Sequence, residues 1–403
     1  TGDFTAVAGE GYFVNTTSGE IDVTLPAGSP GAVVAVKDYA NTWDTNNCVI
    51  ISNGSEKIGG STNNGILNTE GLAVTFIYID STQGWLVTDD GLQSVADTNP
   101  FMVATGGTIT TSGNDKIHTF TGPGTFTVCK AASCAANNEV SYVVVAGGGG
   151  GGGAITTSAG AGGAGGYRET KSPVTPYTAS PLDGQPSAPN RTTVTATAFP
   201  ITVGAGGAGG SGPGPQPNGT PGCAGSNSIF STITAAGGGG GAREVSNGCN
   251  GGSGGGGGGI GSGTPSGGTG NTPPTTPAQG NNGGTGGANP RQGGGGGGGA
   301  TAAGGAGSGT DGGDGGAGAT SSINGTPTAR AGGGGGSVYC GSTPNMGTGG
   351  AGGGGAGGYN VNGTAGTANT GGGGGATGGT SPPGQKDGGA GGSGIVIIRY
   401  KFQ

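Results

Sequence analysis

Short runs in which hydrophobic and polar residues alternate fill roughly the first 90 positions of the chain. Such alternation puts every second side chain on one face, which predicts half-buried β-strands, and no helical period competes with it. Turn signals such as Asn53-Gly54 separate the runs. Strands are predicted at 12–14, 21–25, 32–36, 48–52, 72–78 and 85–88. We therefore assign residues 1–93 to a small all-β module.

The alternation weakens after this module, and we assign residues 94–107 to a linker. Strands are then predicted at 108–111, 117–121 and 125–129. We interpret 116–128 as a β-hairpin that turns at Gly122-Pro123-Gly124, within an entry segment that spans 108–146. The entry segment ends in a continuous apolar run, and a second apolar run at 395–398 closes the chain.

Glycine replaces the hydrophobic pattern between these two apolar runs. Of the 112 glycines, 94 fall in the last 257 positions, where they form twelve tracts of Gly or Gly/Ala. A flexible linker is one interpretation of such a composition. The tracts are short and similar in length, however, and the segments between them contain Pro, Asn, Thr and single aromatic residues. Because glycine is costly to order, a repeated pattern bracketed by strands favours an ordered structure.

The ordered interpretation is a bundle of antiparallel polyglycine II helices over 147–403, closed by the C-terminal strand. Glycine has no Cβ, so extended helices with three residues per turn can lie close together and hydrogen-bond sideways to several neighbours. A collagen helix is disfavoured because tracts such as 147–153 contain only glycine and lack the required three-residue period. The predicted fold is thus an all-β N-terminal part followed by a bundle that is neither α-helical nor collagen-like.

Composition argues against several classes of function. Only 8% of the residues are charged and the net charge is -7, which disfavours binding to nucleic acid or to an anionic membrane surface. No apolar run is long enough to predict membrane insertion. His118 is the only histidine and lies in a predicted strand, where a structural role is expected. Asp311 and Asp314 form a single weak match to calcium-binding repeats. We predict no enzyme, cofactor or metal site.

The six cysteines are widely spaced and lack the Cys-x-x-Cys pairs of a zinc site. Cys129 and Cys134 flank a short connection, and Cys223 and Cys249 lie in neighbouring segments between glycine tracts. These two pairs are candidate disulfides. Cys48 lies in an apolar run and is expected to be a buried thiol.

The N-terminal module resembles a known family. Its pattern of Tyr12-Phe13-Val14, Val23-Thr24-Leu25-Pro26-Ala27, Lys57-Ile58-Gly59-Gly60 and Gly84-Trp85 is similar to a small β-domain of tail-fibre and other virion proteins of tailed phages, particularly marine ones. The resemblance implies a structural stalk or adaptor that contacts other virion proteins and can form a homotrimer. An unrelated small β-sandwich is the alternative.

The segment 116–128, the apolar run that enters the glycine tracts, and the closing segment 391–400 are similar to the entry and exit of a glycine-rich domain in phage tail proteins. In style, the array also resembles the tail-fibre tip adhesins of T-even-like phages, whose polyglycine II helices carry receptor-binding loops. The resemblance implies an extracellular tail-fibre or tip protein of a virion that binds a host cell-surface glycan or outer-membrane protein. The alternative is a structural virion or cell-surface filament protein in which the glycine array is a rigid spacer.

Loop composition favours binding over a spacer role, because aromatic and Arg residues recur between the tracts. We expect recognition to lie in these loops rather than in the β-module or in the tracts, with loops 337–346 and 359–369 as the main candidates. The candidate receptor-binding residues are Tyr339, Tyr359, Arg330, Arg243 and Asn360.

Overall fold

The structure, a computed structural model, describes residues 2–91, 101–155, 157–212, 219–259, 263–288, 292–339, 345–379 and 386–403. The chain divides into two units, Thr1–Pro100 and Phe101–Gln403. No α-helix occurs in the described ranges, which contain β-strands, two short 3-10 turns at Ala135–Asn138 and Ala188–Asn190, and coil. The fold is therefore mostly β and coil. Parts of the predicted linker (94–100) and of loop 337–346 (340–344), as well as Cys340, lie outside the described residues.

The first unit contains two four-stranded sheets. Its strands are β1 (Phe4–Thr5), β2 (Gly11–Val14), β3 (Ile21–Thr24), β4 (Val33–Asp38), β5 (Cys48–Ile51), β6 (Gly65–Leu67), β7 (Ala73–Asp80) and β8 (Gly84–Asp89). The sheet orders are β1-β3-β5-β6 and β2-β4-β7-β8. Side chains from both sheets share one core that includes Trp43 and Trp85. The six strands predicted for this module are confirmed.

The second unit begins and ends with strands of two further sheets. Its strands are β9 (Val103–Thr105), β10 (Thr108–Ser112), β11 (Asp115–Phe120), β12 (Gly124–Lys130), β13 (Glu139–Val145), β14 (Tyr167–Thr170), β15 (Thr192–Thr193), β16 (Ala198–Thr202), β17 (Ser228–Phe230), β18 (Ile233–Ala235), β19 (Ala319–Ser321), β20 (Thr328–Arg330), β21 (Gly358–Tyr359), β22 (Thr377–Gly378) and β23 (Ile395–Lys401). The larger sheets have the orders β10-β11-β23-β13-β14, with β15 also on β13, and β18-β17-β16-β12-β9. Two small ribbons are β19-β20 and β21-β22.

The two apolar runs that bracket the glycine tracts pair directly with each other. Val144 of β13 lies opposite Val396 of β23, and Val145 lies opposite Ile395. Val144 and Val396 belong to one hydrophobic core, whereas Val145 and Ile395 belong to a second core on the other face of the sheet. Burial on both faces explains why these runs are continuously apolar rather than alternating. The first and last tracts are therefore anchored at one site.

The predicted hairpin at 116–128 is wrong. Strand β11 lies between β10 and β23, whereas β12 lies in the other sheet between β9 and β16. Phe120 and Phe126 nevertheless belong to the same core. The Gly122-Pro123-Gly124 turn thus carries the chain from one sheet to the next, since both edges of β11 already have partners.

Residues 146–153 show how the glycine tracts interact. Every third N–H donates to the same neighbouring tract. The N–H groups of Ala146, Gly149 and Gly152 donate to tract 160–166, and those of Gly147, Gly150 and Gly153 donate to tract 220–226. The N–H groups of Gly148 and Gly151 donate to tract 389–392. Their carbonyl groups accept hydrogen bonds from three other tracts, at 207–210, 238–241 and 374–377. This tract therefore has six hydrogen-bonded neighbours. Three of them run parallel to it and three run antiparallel, so the predicted antiparallel arrangement holds only in part.

Burial separates inner tracts from outer ones. Seven tracts are buried throughout: 146–154, 158–167, 235–242, 252–259, 292–300, 330–338 and 371–379. Outer tracts such as 204–210 and 312–318 keep glycine at positions that face their neighbours and place another residue at every third, exposed position, for example Ala205, Ala208 and Asp314. In these outer tracts the non-glycine residues thus occupy the exposed positions, whereas the inner tract 158–167 also contains alanine, at the buried positions Ala161 and Ala164.

Side chains complete the hydrogen bonding at the edge of the array. Asn250 Oδ1 accepts a hydrogen bond from the Thr269 N–H at 2.7 Å, and Asp314 Oδ1 accepts one from the Thr348 N–H at 2.7 Å. In each case a carboxyl or amide oxygen replaces the carbonyl group of a neighbouring tract. The edge polar residues therefore stabilise the outermost backbone.

Consecutive tracts run in opposite directions, so their connections alternate between two ends of the array. One end adjoins the two larger sheets. At the other end the chain turns back after residues 153, 212, 242, 259, 287, 308, 337, 358 and 377. We call this end the loop face.

Candidate functional site: the loop face

The structure brings four of the five candidate receptor-binding residues to the loop face. Tyr339, Tyr359, Asn360 and Arg243 all follow directly on tracts that end there, and each is half-buried. Two of the buried tracts, 330–338 and 371–379, end at this face. The fifth candidate, Arg330, lies at the opposite end.

Arg330 is a correction to the sequence analysis. It ends strand β20 and is only 4% exposed. Burial lowers the pKa of its guanidinium, while the neighbouring Tyr167 and Glu169 oppose that shift. The short β19-β20 ribbon folds over the larger sheet, and this position keeps Arg330 from any external ligand. Its role is structural.

Ser337 fixes the backbone in front of Tyr339. Its buried Oγ accepts a hydrogen bond from the Ala159 N–H at 3.0 Å and lies 2.9 Å from the Thr377 carbonyl oxygen, to which it donates. Three connections of the loop face are thereby tied together at one hydroxyl group. The side chain of Tyr339, two residues later, thus projects from a fixed position.

Tyr359 and Asn360 are fixed by the β21-β22 ribbon. Tyr359 pairs with Gly378, and the Asn360 N–H donates to the Gly378 carbonyl oxygen at 2.8 Å. Asn360 has a φ of 52°, a left-handed conformation that asparagine tolerates. Thr377 Oγ1 also donates to the Val361 carbonyl oxygen at 2.8 Å. The segment 359–361 is therefore held by the backbone on one side and a hydroxyl group on the other.

Three apolar side chains lie at the loop-face ends of three adjacent tracts. Tracts 347–350, 353–357 and 364–367 are hydrogen-bonded side by side, and Met346, Tyr359 and Val361 extend them at this face. We call these three residues the apolar row. Met346 and Val361 are exposed, although large exposed hydrophobic residues are few among the described residues of the second unit. Exposed apolar residues on a rigid support are typical of a binding surface.

Glu244 is a residue that sequence reasoning missed. Only 2% exposed, it accepts hydrogen bonds from the backbone N–H groups of Ile155 and Thr157, the latter at 3.1 Å. It thereby ties the turn after tract 237–242 to the turn after tract 147–153. Its position directly after a glycine tract was the available signal, since a carboxylate there faces the unpaired N–H groups of the next turn.

The histidine and the two aspartates singled out in the sequence analysis have hydrogen-bond partners in the structure. His118 lies in the sheets, where Nδ1 is 2.7 Å from the Gly106 carbonyl oxygen and burial lowers the pKa of the ring. Within the described ranges, no three His, Cys, Asp or Glu side chains are close enough to hold a metal ion. Asp311 and Asp314 accept hydrogen bonds from Ser308 and Thr348. None of the helical turns described is long and apolar enough to cross a membrane.

The cysteines of the described residues are free thiols. Cys48 is buried, as expected, whereas Cys129, Cys134, Cys223 and Cys249 are exposed. Cys223 and Cys249 lie on two tracts that both hydrogen-bond to 238–241, on different sides of it. The two proposed disulfides stay predictions.

We expect thiol labelling of the folded, reduced protein to separate Cys48 from the other cysteines. Burial, reinforced by Asp38 and Asp22, raises the pKa of the Cys48 thiol to about 12, so it stays protonated and shielded. Iodoacetamide at mildly alkaline pH should modify Cys223 and Cys249 but modify Cys48 only after denaturation, as read by peptide mass spectrometry. Rapid modification of Cys48 in the folded state would contradict the buried position. Without prior reduction, paired cysteines should resist labelling, which tests the two disulfides.

Comparison with known proteins identifies one family. A family model described as a glycine-rich domain matches residues 119–401. The matched range begins in β11 and ends at the last residue of β23, so it includes both apolar strands and all the tracts between them. No curated protein matches the chain.

Proposed function

Because the chain belongs to the glycine-rich domain family, we propose that its tracts are polyglycine II helices. Support comes from the three-residue period of the hydrogen bonds and from the six neighbours of tract 146–153. A helix with three residues per turn directs successive N–H groups in three directions, which is the pattern seen. None of the glycines at 147–153 has a positive φ, in keeping with an extended helix.

We further propose that the protein is a tail-fibre or tip protein of a tailed phage that binds a host cell-surface receptor through its loop face. The observation that carries this proposal is the apolar row, supported by hydrogen-bonded glycine tracts and fixed by Thr377 and the β21-β22 ribbon. Loops on a rigid scaffold can change their contacts without rebuilding it. The partner is a glycan or an outer-membrane protein of the host.

In this proposal the first unit joins the array to other virion proteins, and the protein acts outside the cell as part of the virion. The role proposed for the first unit rests on the resemblance of residues 12–85 to phage stalk modules. A protein whose array served only as a spacer would need no exposed apolar residues at the loop face. The presence of Met346 and Val361 there favours receptor binding over the spacer role.

Truncating Tyr339 and Tyr359 together to alanine is expected to weaken adsorption to host cells at least about tenfold, since tyrosines at the centre of an interface contribute strongly to affinity. Fluorescent protein bound to cells measures the effect, and a circular dichroism melt checks that the array is intact. Tyr39→Ala is the matched control, because Tyr39 is an exposed tyrosine of the first unit. Unchanged adsorption by the folded double variant would contradict the assignment of the loop face.

A further inference from the structure

A further apolar residue on the loop face, outside the apolar row, lies in an unfavourable backbone conformation. Val245 is in the turn that connects tract 237–242 to the next tract, and it has a φ of 64°. Its side chain is 45% exposed. The other described non-glycine residues with positive φ are Asn41, Ser231, Asn271, Ala331, Asn360 and Asn369. Val245 is therefore the sole β-branched residue of the described chain in this conformation.

Neither the fold nor solubility explains valine at this position. A left-handed turn position favours glycine or asparagine, and a β-branched side chain there is strained. The side chain, 45% exposed, also gains only part of the free energy of full burial in the free protein. Asparagine would fit this backbone and would expose no apolar surface, as it does at position 360.

The surrounding contacts fix the strained turn in place. Ser246 Oγ donates to the Arg243 carbonyl oxygen at 3.1 Å, and the Gly258 N–H donates to the Ser246 carbonyl oxygen at 3.0 Å. Glu244, directly before Val245, is buried and accepts hydrogen bonds from the N–H groups of Ile155 and Thr157. Residues in unfavourable conformations persist where their surroundings determine them, and they concentrate at functional sites.

We infer that Val245 is a receptor-contact residue whose side chain enters an apolar pocket of a protein on the cell surface. This inference rests on the proposed function and names the class of partner. A branched aliphatic side chain offers neither a flat face for stacking on a sugar ring nor a hydrogen-bonding group, whereas it fills an apolar pocket well. The fixed turn presents it without an entropic cost of ordering the loop on binding.

The test compares wild type with Val245→Asn. Fluorescently labelled full-length protein is added to a natural marine bacterial community, and labelled cells are counted by flow cytometry before and after treatment of the cells with proteinase K or periodate. We expect Val245→Asn to have a higher midpoint of thermal unfolding than wild type and at least about tenfold weaker binding. Binding of wild type should be lost after proteinase K and kept after periodate. Ile109→Asn is the control, because Ile109 is an equally exposed aliphatic residue in β10, away from the loop face.

Each other outcome has a distinct meaning. If Val245→Asn binds as wild type does while the double tyrosine variant binds weakly, the inference is overturned and the proposed function stands. A lower midpoint for Val245→Asn overturns the argument from strain. If binding is lost after periodate but kept after proteinase K, the inference that the partner is a protein is overturned. If wild type labels no cells of the community, the proposed function fails and the inference fails with it.

Discussion

Replacing Gly150 with alanine is expected to prevent the glycine array from folding, with a loss of more than about 4 kcal/mol in the free energy of unfolding. Gly150 lies at the centre of an inner tract, where its N–H donates to the Cys223 carbonyl oxygen at 2.9 Å and its carbonyl group accepts from the Gly241 N–H at 2.9 Å. A Cβ at this position would overlap the carbonyl oxygen of Ala208. Because the obstacle is backbone of a neighbouring tract, no side-chain movement relieves it.

Amide exchange followed by mass spectrometry measures this effect. In the wild type, slow exchange is expected in the peptides of the seven buried tracts, whose N–H groups are hydrogen-bonded and shielded. Gly150→Ala should expose them all, since each inner tract is hydrogen-bonded to several others. Exchange of these amides within seconds in the wild type would contradict an ordered array.

Gly122→Ala is the matched control. Gly122 lies in the turn between β11 and β12, and a Cβ there meets no atom within 4 Å. Its φ is not positive, so alanine fits the backbone. The substitution should therefore be neutral or stabilise the protein by about 0.4–1 kcal/mol, through a less flexible unfolded chain. Equal destabilisation by both variants would refute the steric argument.

The strands were predictable from sequence because their signals are local. Alternation identified six of the eight strands of the first unit, all except the short β1 and β6, and the continuous apolar runs at both ends of the array identified β13 and β23. The hairpin at 116–128 was predicted wrongly because the partner of β11 is β23, which lies at the far end of the chain. Proximity in sequence favours a hairpin, whereas the pairing of β11 with β23 depends on the path of the chain through the whole array.

The arrangement of the tracts could not be derived from sequence, because tracts that consist of glycine have no side chains to specify neighbours. Composition gave only a partial indication of their depth. Tract 147–153 contains only glycine and is buried, while 204–210 carries alanine at Ala205 and Ala208 and is exposed at those positions. A non-glycine residue at every third position is thus typical of an outer tract but does not identify one, since Ala161 and Ala164 of the inner tract 158–167 are fully buried. The same reasoning could not place Arg330, whose burial depends on the fold of β19 and β20 over the sheet.

Arg399→Ala is expected to cost about 3–5 kcal/mol, because it removes one partner of a buried ion pair. Arg399 is 3% exposed, and its Nη2 lies 2.7 Å from Asp115 Oδ2. The guanidinium also donates to the carbonyl oxygens of Ile323 at 3.2 Å and Pro176 at 3.1 Å. These contacts join the closing strand β23 to β11 and to the segments that cover the sheet, so urea denaturation should show a large fall in the unfolding midpoint.

Two further variants separate the ion pair from a general effect of losing an arginine. Arg191→Ala removes an exposed arginine whose Nε donates to the Gln185 carbonyl oxygen at 2.8 Å, and it should change stability by less than about 0.5 kcal/mol. The double variant Asp115→Leu/Arg399→Met should recover part of the loss, since no unpaired charge is left in the core. If Arg399→Ala were as mild as Arg191→Ala, the closing strand would be held by its backbone hydrogen bonds and apolar side chains alone. A double variant no more stable than Arg399→Ala would instead show that the unpaired charge of Asp115 does not determine the cost, since both variants lose the hydrogen bonds to the carbonyl groups of Ile323 and Pro176.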